Sequence, residues 1–409
     1  MTLTILNLLI GLVSMLLTIV TLSFAAQAAA MIFIDDHPFT ASPCCAAVAV
    51  LVPAHDEEQH IEATLCRIAS DLAPGDRLLV VADNCTDRTA LLAAKAGAEV
   101  LIRTDLERRG KGFALAAGLG ELTSAPPDVV VIIDADCQIS GSGVALLAQA
   151  CQATGAPIQC LDLMIARPDS PAPPRLAEFA WRIKNDFRPR GYARLGLPCQ
   201  LLGTGMALPW ALINQELFAT GHLAEDLFLG LELAISGHPP RFLRDVRVTS
   251  YFPDTQRGQA QQKRRWIHGH LGLIRTHLPR IALHVFRTRD LRLLALAADL
   301  LVPPIGILAL ANIAVLIVSL LYLVLIGPSV ALTCVALEFF VFAFSLVSAW
   351  FVSGRDLIGL REFAQVPLHL MMVAYSAFAF LCGHRTRWVR ADRLRATAQF
   401  TRTPHGAED

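Results

Sequence analysis

Residues 3–34 form an apolar run without a single charged side chain. The run exceeds the roughly 20 residues a helix needs to cross a bilayer. No Lys or Arg precedes it and it is too long for a signal-peptide core, so it predicts an uncleaved anchor. From about residue 45 to 265 the pattern changes. Short β-branched runs, Ala47–Val52, Leu78–Val81, Val100–Ile102 and Val129–Ile133, recur between stretches rich in Ala, Leu and Glu. Strands alternating with helices predict an α/β unit with a mostly parallel sheet covered on both faces. Ligands in such sheets bind beyond the carboxyl ends of the strands. Apolar runs return at about 295–326, 330–352 and 366–383 and predict three further spans, the first bent at Pro303–Pro304. Gly327–Pro328 reads as a turn, Pro168–Pro174 as a surface loop, and Ser353–Gln365 as an amphipathic helix in the interface.

Composition agrees with this division. The 409 residues are 54% hydrophobic and 17% charged, against about 25% charged in soluble proteins. The formal net charge is zero, which gives no sign of a nucleic-acid partner. The Arg residues crowd between Arg241 and Arg292 and again between Arg385 and Arg402. The first cluster places the α/β unit on the cytoplasmic side. Three spans after it would carry Arg385, Arg387, Arg390, Arg393 and Arg395 outside, against the same rule. Either one segment does not span, or the 295–326 run contains a re-entrant break. None of the ten Cys forms a C-x-x-C pair, which predicts buried free thiols in a reducing compartment and no zinc site.

Polar groups cluster where the strands end. Pro53, His55, Asp56 and Glu57 follow the first strand; Asp56 and Glu57 either cap a helix starting near Glu57 or face the cleft. Asp83 ends the second strand, where it could accept hydrogen bonds from a base or ribose, and Asp87 reads as the N-cap of the next helix. In Arg109-Gly110-Lys111-Gly112 the glycines allow close backbone approach and Lys111 could meet a phosphate. Asp134-Ala135-Asp136 follows five apolar residues. Burying both carboxylates without partners would be costly, and their hard oxygens suit Mg2+ or Mn2+ held with a nucleotide diphosphate. Glu225-Asp226 is either a helix N-terminal charge pair or the proton acceptor for an attacking hydroxyl. Gln262-Lys263-Arg264-Arg265-Trp266 is either a headgroup anchor or a clamp, with Arg265 on a diphosphate and Trp266 against a sugar.

Taken in order, Asp83, Asp134-x-Asp136, Glu225-Asp226 and Gln262-x-x-Arg265-Trp266 resemble the D, DxD, ED and QxxRW pattern of the membrane-bound family 2 glycosyltransferases. That branch includes the cellulose, chitin and hyaluronan synthases. The resemblance covers about residues 47–270, and the apolar runs around it fit. It implies a GT-A fold with a Rossmann-like nucleotide-sugar-binding sheet. Pro53, Glu57 and Asp83 would hold the nucleoside, Lys111 and Asp134 would lie near the diphosphate, and Asp136 with Asp134 would bind Mg2+ or Mn2+. Asp226, beside Glu225, would be the general base. Gln262, Arg265 and Trp266 would border acceptor and diphosphate, together with the loop Gly203-Thr204-Gly205. Asp56 departs from the pattern, which commonly has Asn there; both residues can cap.

The activity implied is inverting hexosyl or N-acetylhexosaminyl transfer from a UDP-linked donor to a hydroxyl of a glycan or lipid-linked acceptor. The setting implied is the cytoplasmic face of a bacterial plasma membrane, in polysaccharide or glycolipid synthesis. Four spans are few for a self-sufficient polymer channel, so an export or accessory subunit is a candidate partner besides membrane lipids. Three other readings compete. Single-sugar transfer to polyprenyl phosphate needs no QxxRW clamp. An inactive scaffold needs no acidic set. A transporter would rest on Asp299, an acid near one end of a span. The organisation expected is an anchor at 1–34, the catalytic unit at 45–270, a basic interfacial segment at 271–294, membrane helices at 295–383 and an Arg-rich tail at 384–409.

Overall fold

The computed structural model describes residues 2–36, 39–40, 46–166, 172–253 and 255–381. After a long helix, α1 (Thr2–Phe33), all four expected strands form: β1 (Val48–Ala54), β2 (Arg77–Asp83), β3 (Glu99–Arg103) and β4 (Val129–Ile132). They pair in parallel in the order β3-β2-β1-β4. The crossovers are α2 (Ile61–Ala69), α3 (Thr89–Lys95) and α4 (Lys111–Leu122). Parallel strands are covered on both faces, which is why they read as continuous apolar runs. Val50, Val52, Val80 and Val131 enter one core with Ile61 and Leu65 of α2. Their neighbours Leu51, Leu79, Val81 and Ile132 enter the opposite core with Leu115 and Leu119 of α4.

That second core leaves no room at Gly118. A Cβ there would run into Leu51 Cδ1 and lie 2.8 Å from Val81 Cγ2. Gly118→Ala should therefore destabilise the catalytic unit by about 1–3 kcal/mol, the usual range for overpacking, measured as a lower denaturation midpoint of the purified protein in detergent.

Beyond β4 the sheet becomes mixed. After β5 (Gln138–Ile139), α5 (Gly143–Thr154) and β6 (Ile158–Ile165), the chain forms α6 (Ala172–Arg182), a π-helical turn (Ile183–Phe187) and α7 (Arg188–Arg194). It then returns as β7 (Met206–Pro209), α8 (Gln215–Phe218), α9 (Glu225–Ile235) and β8 (Arg241–Tyr251). The full order is β3-β2-β1-β4-β7-β6-β8-β5. β7 runs antiparallel to β4, with Met206 opposite Ile132. This reversal brings the loop before β7, Gly203-Thr204-Gly205, to the carboxyl end of β4, beside Asp134.

The remaining chain is α10 (Gln256–Thr288), α11 (Leu291–Leu301), α12 (Ile305–Leu325), α13 (Val330–Ser353) and α14 (Leu360–Leu381). The boundary expected at residue 270 falls inside α10, which continues unbroken to Thr288. Among the described residues three helices are long and apolar enough to cross a membrane: Asn7–Phe33, Ile305–Leu325 and Val330–Ser353. The run expected at 295–326 is therefore two helices. Adjacent prolines at 303 and 304 supply no N–H and end α11. Of the fourth expected span, 366–383, residues 366–381 lie in α14. Residues 382–383 and the Arg-rich tail lie outside the described residues. So do 167–171 of the expected proline loop; Pro173 and Pro174 instead occupy the first turn of α6, where Pro leaves no helical hydrogen bond unmade.

Charge pairs fasten the α6–α7 rod to the apolar helices. Arg175 pairs with Glu362 of α14 at 2.9 Å and Arg182 with Asp356 at 2.8 Å. Asp36, just past α1, receives Arg190 and Arg194, each at 2.8 Å, and Arg244 at 3.3 Å. Arg194 above all holds its carboxyl well below the usual range. Asp299, the acid near one end of an expected span, is bound by Arg188 at 2.6 Å and by Gln27 Nε2 at 2.8 Å. It stitches α11 to α7 and α1.

Candidate active site

The end of the site beyond β1 and β2 is built from two interlocked loops. Asp56 and Asn84 both adopt left-handed backbone, with φ of 53° and 52°, a conformation that Asp and Asn tolerate better than other side chains. Asp56 Oδ1 accepts from the N–H of Thr86 at 2.6 Å and of Asp87 at 3.3 Å. Asp56 therefore does not cap the helix expected near Glu57, which begins at Ile61; it ties the loop after β1 to the loop after β2. Asp87, expected as the N-cap of the next helix, lies one residue before it: the N-cap of α3 is Arg88, and Asp87 Oδ1 accepts from Thr89 N–H at 2.9 Å. Asp83 is buried. It lies opposite Arg103 in the β2–β3 register, and the Arg103 guanidinium pairs with it and, at 2.9 Å, with Asp105.

The Asp-x-Asp pair follows directly. Asp134 N–H donates to Thr204 Oγ1 at 3.1 Å. Its carboxylate pairs with Lys111, the first residue of α4, and Lys111 also donates to Gly203 O at 2.7 Å. Burial works against the Lys111 charge, but Asp134 and Glu225 outweigh it and raise its pKa. Burial pushes the Asp134 carboxyl up, while Lys111 pulls it down. The loop opposite must be glycine. Gly203 and Gly205 have φ of +97° and +64°, and a Cβ at 203 would sit 3.1 Å from Asp226 Oδ2.

Asp134, Asp136 and Cys137 bring one ligand atom each within 4.8 Å of one another. Burial, with Asp136 beside it, pushes the Cys137 thiol well above its usual range. Cys137 stays a thiol and is a poor ligand. Lys111 pairs with Asp134, and Asp136 stands beside it. Oxygen donors suit Mg2+ or Mn2+, so the residues present fit such an ion.

Glu225 and Asp226 open α9. Burial and the adjacent Asp226 push Glu225 up to about 7. Opposite them, α10 presents Gln262, Arg265 and Trp266 to the same cavity. Trp266 lies 4.5 Å from Trp181 of α6 between ring centroids. Asp162 of β6 lies behind, its backbone oxygen accepting from Trp181 Nε1 at 3.1 Å and Oδ2 from Asn185 Nδ2 at 3.1 Å. One cavity of about 1800 Å3 holds all of these groups, from Pro53, Glu57 and Asp83 to Asp226 and Trp266, and reaches Pro303–Ile307 and α14.

The family described as glycosyltransferase like family 2 matches residues 46–269, the whole of the unit just described. The chain belongs to this glycosyltransferase family. Uncharacterised glycosyltransferases of Mycobacterium tuberculosis and Mycobacterium bovis are 41% identical over 86 residues, 21% of this chain and 35% of each relative. The match thus spans about a third of those proteins. Among solved structures, a mannosyltransferase from Pyrobaculum calidifontis in complex with GDP-Man and Mn2+ superposes with a TM-score of 0.54 at 18% identity. The superposition covers 92% of this chain and 100% of that one. The likeness is one of fold: a GT-A domain with its helices.

Pro53, Glu57, Asp83, Lys111, Asp134, Asp136, Gly203, Thr204, Glu225, Asp226, Gln262, Arg265 and Trp266 line this cavity, whereas Asp56, Asp87 and Gly205 do not. Sequence reading missed Arg103, Asp162, Trp181, Lys184 and His270. Arg103 ends a strand read only for its apolar residues. Asp162 had one signal, a carboxylate inside an apolar strand, which is costly without a reason. Nothing local marks Trp181 or Lys184.

Asp162 also makes stability depend on pH. Burial, then Asp134, push its carboxyl from 3.8 up to about 8. The folded protein keeps this proton where the unfolded chain loses it. The stabilisation is complete below 3.8 and is lost as pH rises through about 8. Asp162→Asn should therefore be relatively more stable at pH 8 than at pH 4 by at least about 1 kcal/mol, read from metal-free denaturation midpoints at both pH values.

Proposed function

We propose that the chain is a membrane glycosyltransferase that moves a sugar from a nucleoside diphosphate donor, UDP by resemblance, to a hydroxyl of a lipid-linked acceptor, with inversion. The observation that carries this reading is the unbroken cavity. It joins the acidic pairs to an apolar end lined by Ile305 of α12 and by Met371 and Tyr375 of α14. A water-soluble acceptor has no need of that end, whereas a lipid tail would fill it.

Asp83, with Pro53 and Glu57, would face the nucleoside. Asp136 and Asp134 would hold Mg2+ or Mn2+, which neutralises charge on the leaving diphosphate when bound. Lys111 and Arg265 add fixed positive charge on the same side. Asp226, beside the Gly203 loop, takes the proton of the attacking hydroxyl. Glu225, beside this base, loses its proton only as pH rises through about 7, and while it is neutral it adds no negative charge to draw the acceptor proton toward Asp226. The kcat/KM profile should therefore show a step near pH 7, lower on the acid side, and Glu225→Gln should remove the step.

We read α1, α12 and α13 as the membrane crossings, with α14 lying along the surface on the catalytic side. Glu362 near its start meets Arg175, and Val373 packs 3.2 Å from the Cβ position of Gly306 at the start of α12. Two crossings after the catalytic unit return the tail to the cytoplasmic side, which places both Arg clusters inside. The test of function is a panel of nucleotide sugars with Mg2+ or Mn2+ and the protein in nanodiscs. Nucleoside diphosphate release from one donor, with sugar appearing on lipid, supports the reading. No release from any donor, with or without lipid acceptors, overturns it.

A further inference from the structure

Lys184 is not explained by the chemistry above. It lies in the π-helical turn between α6 and α7, a deviation that often marks functional positions. Its ammonium sits inside the cavity, 5.3 Å from the Trp181 ring centroid. Among the described residues it makes no hydrogen bond and no ion pair. The carboxylates acting on it at longer range are Asp226, Asp162 and Asp299, the last already paired with Arg188. Asp162 keeps its proton to about pH 8 and so offers little negative charge. An enclosed cation without an anion is costly.

The position of Lys184 is specific. Trp181 and Lys184 are three residues apart on one rod, and Trp266 and His270 are four apart on α10, so each pair shares a face. The two tryptophans meet at 4.5 Å, and Lys184 acts on His270. His270 Nε2 is buried and has no hydrogen-bond partner among the described residues. Burial, then Lys184, push the imidazole down to about 4, so it is neutral. A phosphate hydroxyl, or a proton taken up with the phosphate, would satisfy that nitrogen. This polar rung joins the tryptophan pair to the apolar end of the cavity.

We propose that Lys184, with His270, binds the phosphate that joins the lipid tail of the acceptor to its sugar. This rests on the lipid-linked acceptor above and adds its chemical class: a lipid phosphate or diphosphate instead of a neutral glycolipid. The tail would leave past Ile305 and Met371, the sugar would lie toward the tryptophans, and its hydroxyl would reach Asp226. The Lys111 and Arg265 side remains for the donor.

The test measures binding, so it holds whether or not any donor is turned over. Full-length protein in phosphatidylcholine nanodiscs is titrated with a polyprenyl phosphate, with the corresponding prenyl alcohol and with inorganic pyrophosphate, following tryptophan fluorescence. The phosphate lipid should bind at least about tenfold more tightly than the alcohol, the discrimination expected of a charge-assisted contact. Lys184→Gln should remove that difference while nucleoside diphosphate binding is retained, and Lys184→Arg should restore most of it. Equal affinity for phosphate and alcohol overturns the proposal. So does pyrophosphate binding as tightly as the lipid, or a loss of nucleoside diphosphate affinity in Lys184→Gln, since either gives Lys184 to the donor.

Discussion

Asp226→Asn should lower sugar transfer by about 10²–10⁴, the range a positioned general base contributes, while leaving donor affinity within a few-fold of wild type. The substitution keeps size and shape, and Oδ1 still accepts from the Leu227 N–H at 2.8 Å. What disappears is the negative charge that takes the acceptor proton. Its loss also relieves Glu225, whose pKa is raised by burial and then by Asp226, so any residual activity should have its acid limb displaced to lower pH. Donor binding is read calorimetrically with the nucleoside diphosphate, and transfer from sugar recovered on lipid. Transfer at the wild-type rate would remove Asp226 from the mechanism. It would favour an acceptor whose attacking oxygen needs no base, such as a polyprenyl phosphate.

Lys111→Met should destabilise the metal-free protein by about 3 kcal/mol, the lower end of what breaking a buried ion pair costs, because water in the cavity can reach both partners. Lys111 is the cation paired with Asp134, and Asp136, Glu225 and Asp226 converge on the same space. Without it four carboxyl groups face one another around one end of the cavity. Two consequences separate this account from simple loss of packing. Adding Mn2+ should raise the melting temperature of Lys111→Met more than that of wild type, since an ion replaces the missing charge. Lys111→Met with Asp134→Asn should recover much of the loss, because the unpaired carboxylate goes with its partner. Equal metal effects in variant and wild type would mean that Lys111 does not compensate the site's charge.

Much of this arrangement is legible in the chain. β1 to β4 announce themselves because a parallel strand is buried on both faces and must be apolar throughout. A carboxylate at the end of such a run, as at Asp83 and Asp134, can only face the edge of the sheet where a ligand binds. The later strands are less visible. β6 carries Gln159 and Asp162 on its faces, and β7 is four residues long, so neither has the length or purity of pattern that marks a strand.

The sequence by itself determined the α/β order, the identity and succession of the acidic and QxxRW residues, and the presence of apolar helices at both ends. These follow from local periodicity and from residue chemistry, which need no knowledge of what lies opposite. Only the tertiary structure decided which charges meet. Arg103 reaches Asp83 because β3 lies beside β2, Lys111 reaches Asp134 across the cleft, and Arg188 neutralises Asp299 from 111 residues away. It also decided that the cavity opens onto α12 and α14 and that Lys184 stands inside it with no ion pair among the described residues. Burial, pairing and continuity of space are properties of residues distant in the chain, and no local pattern encodes them.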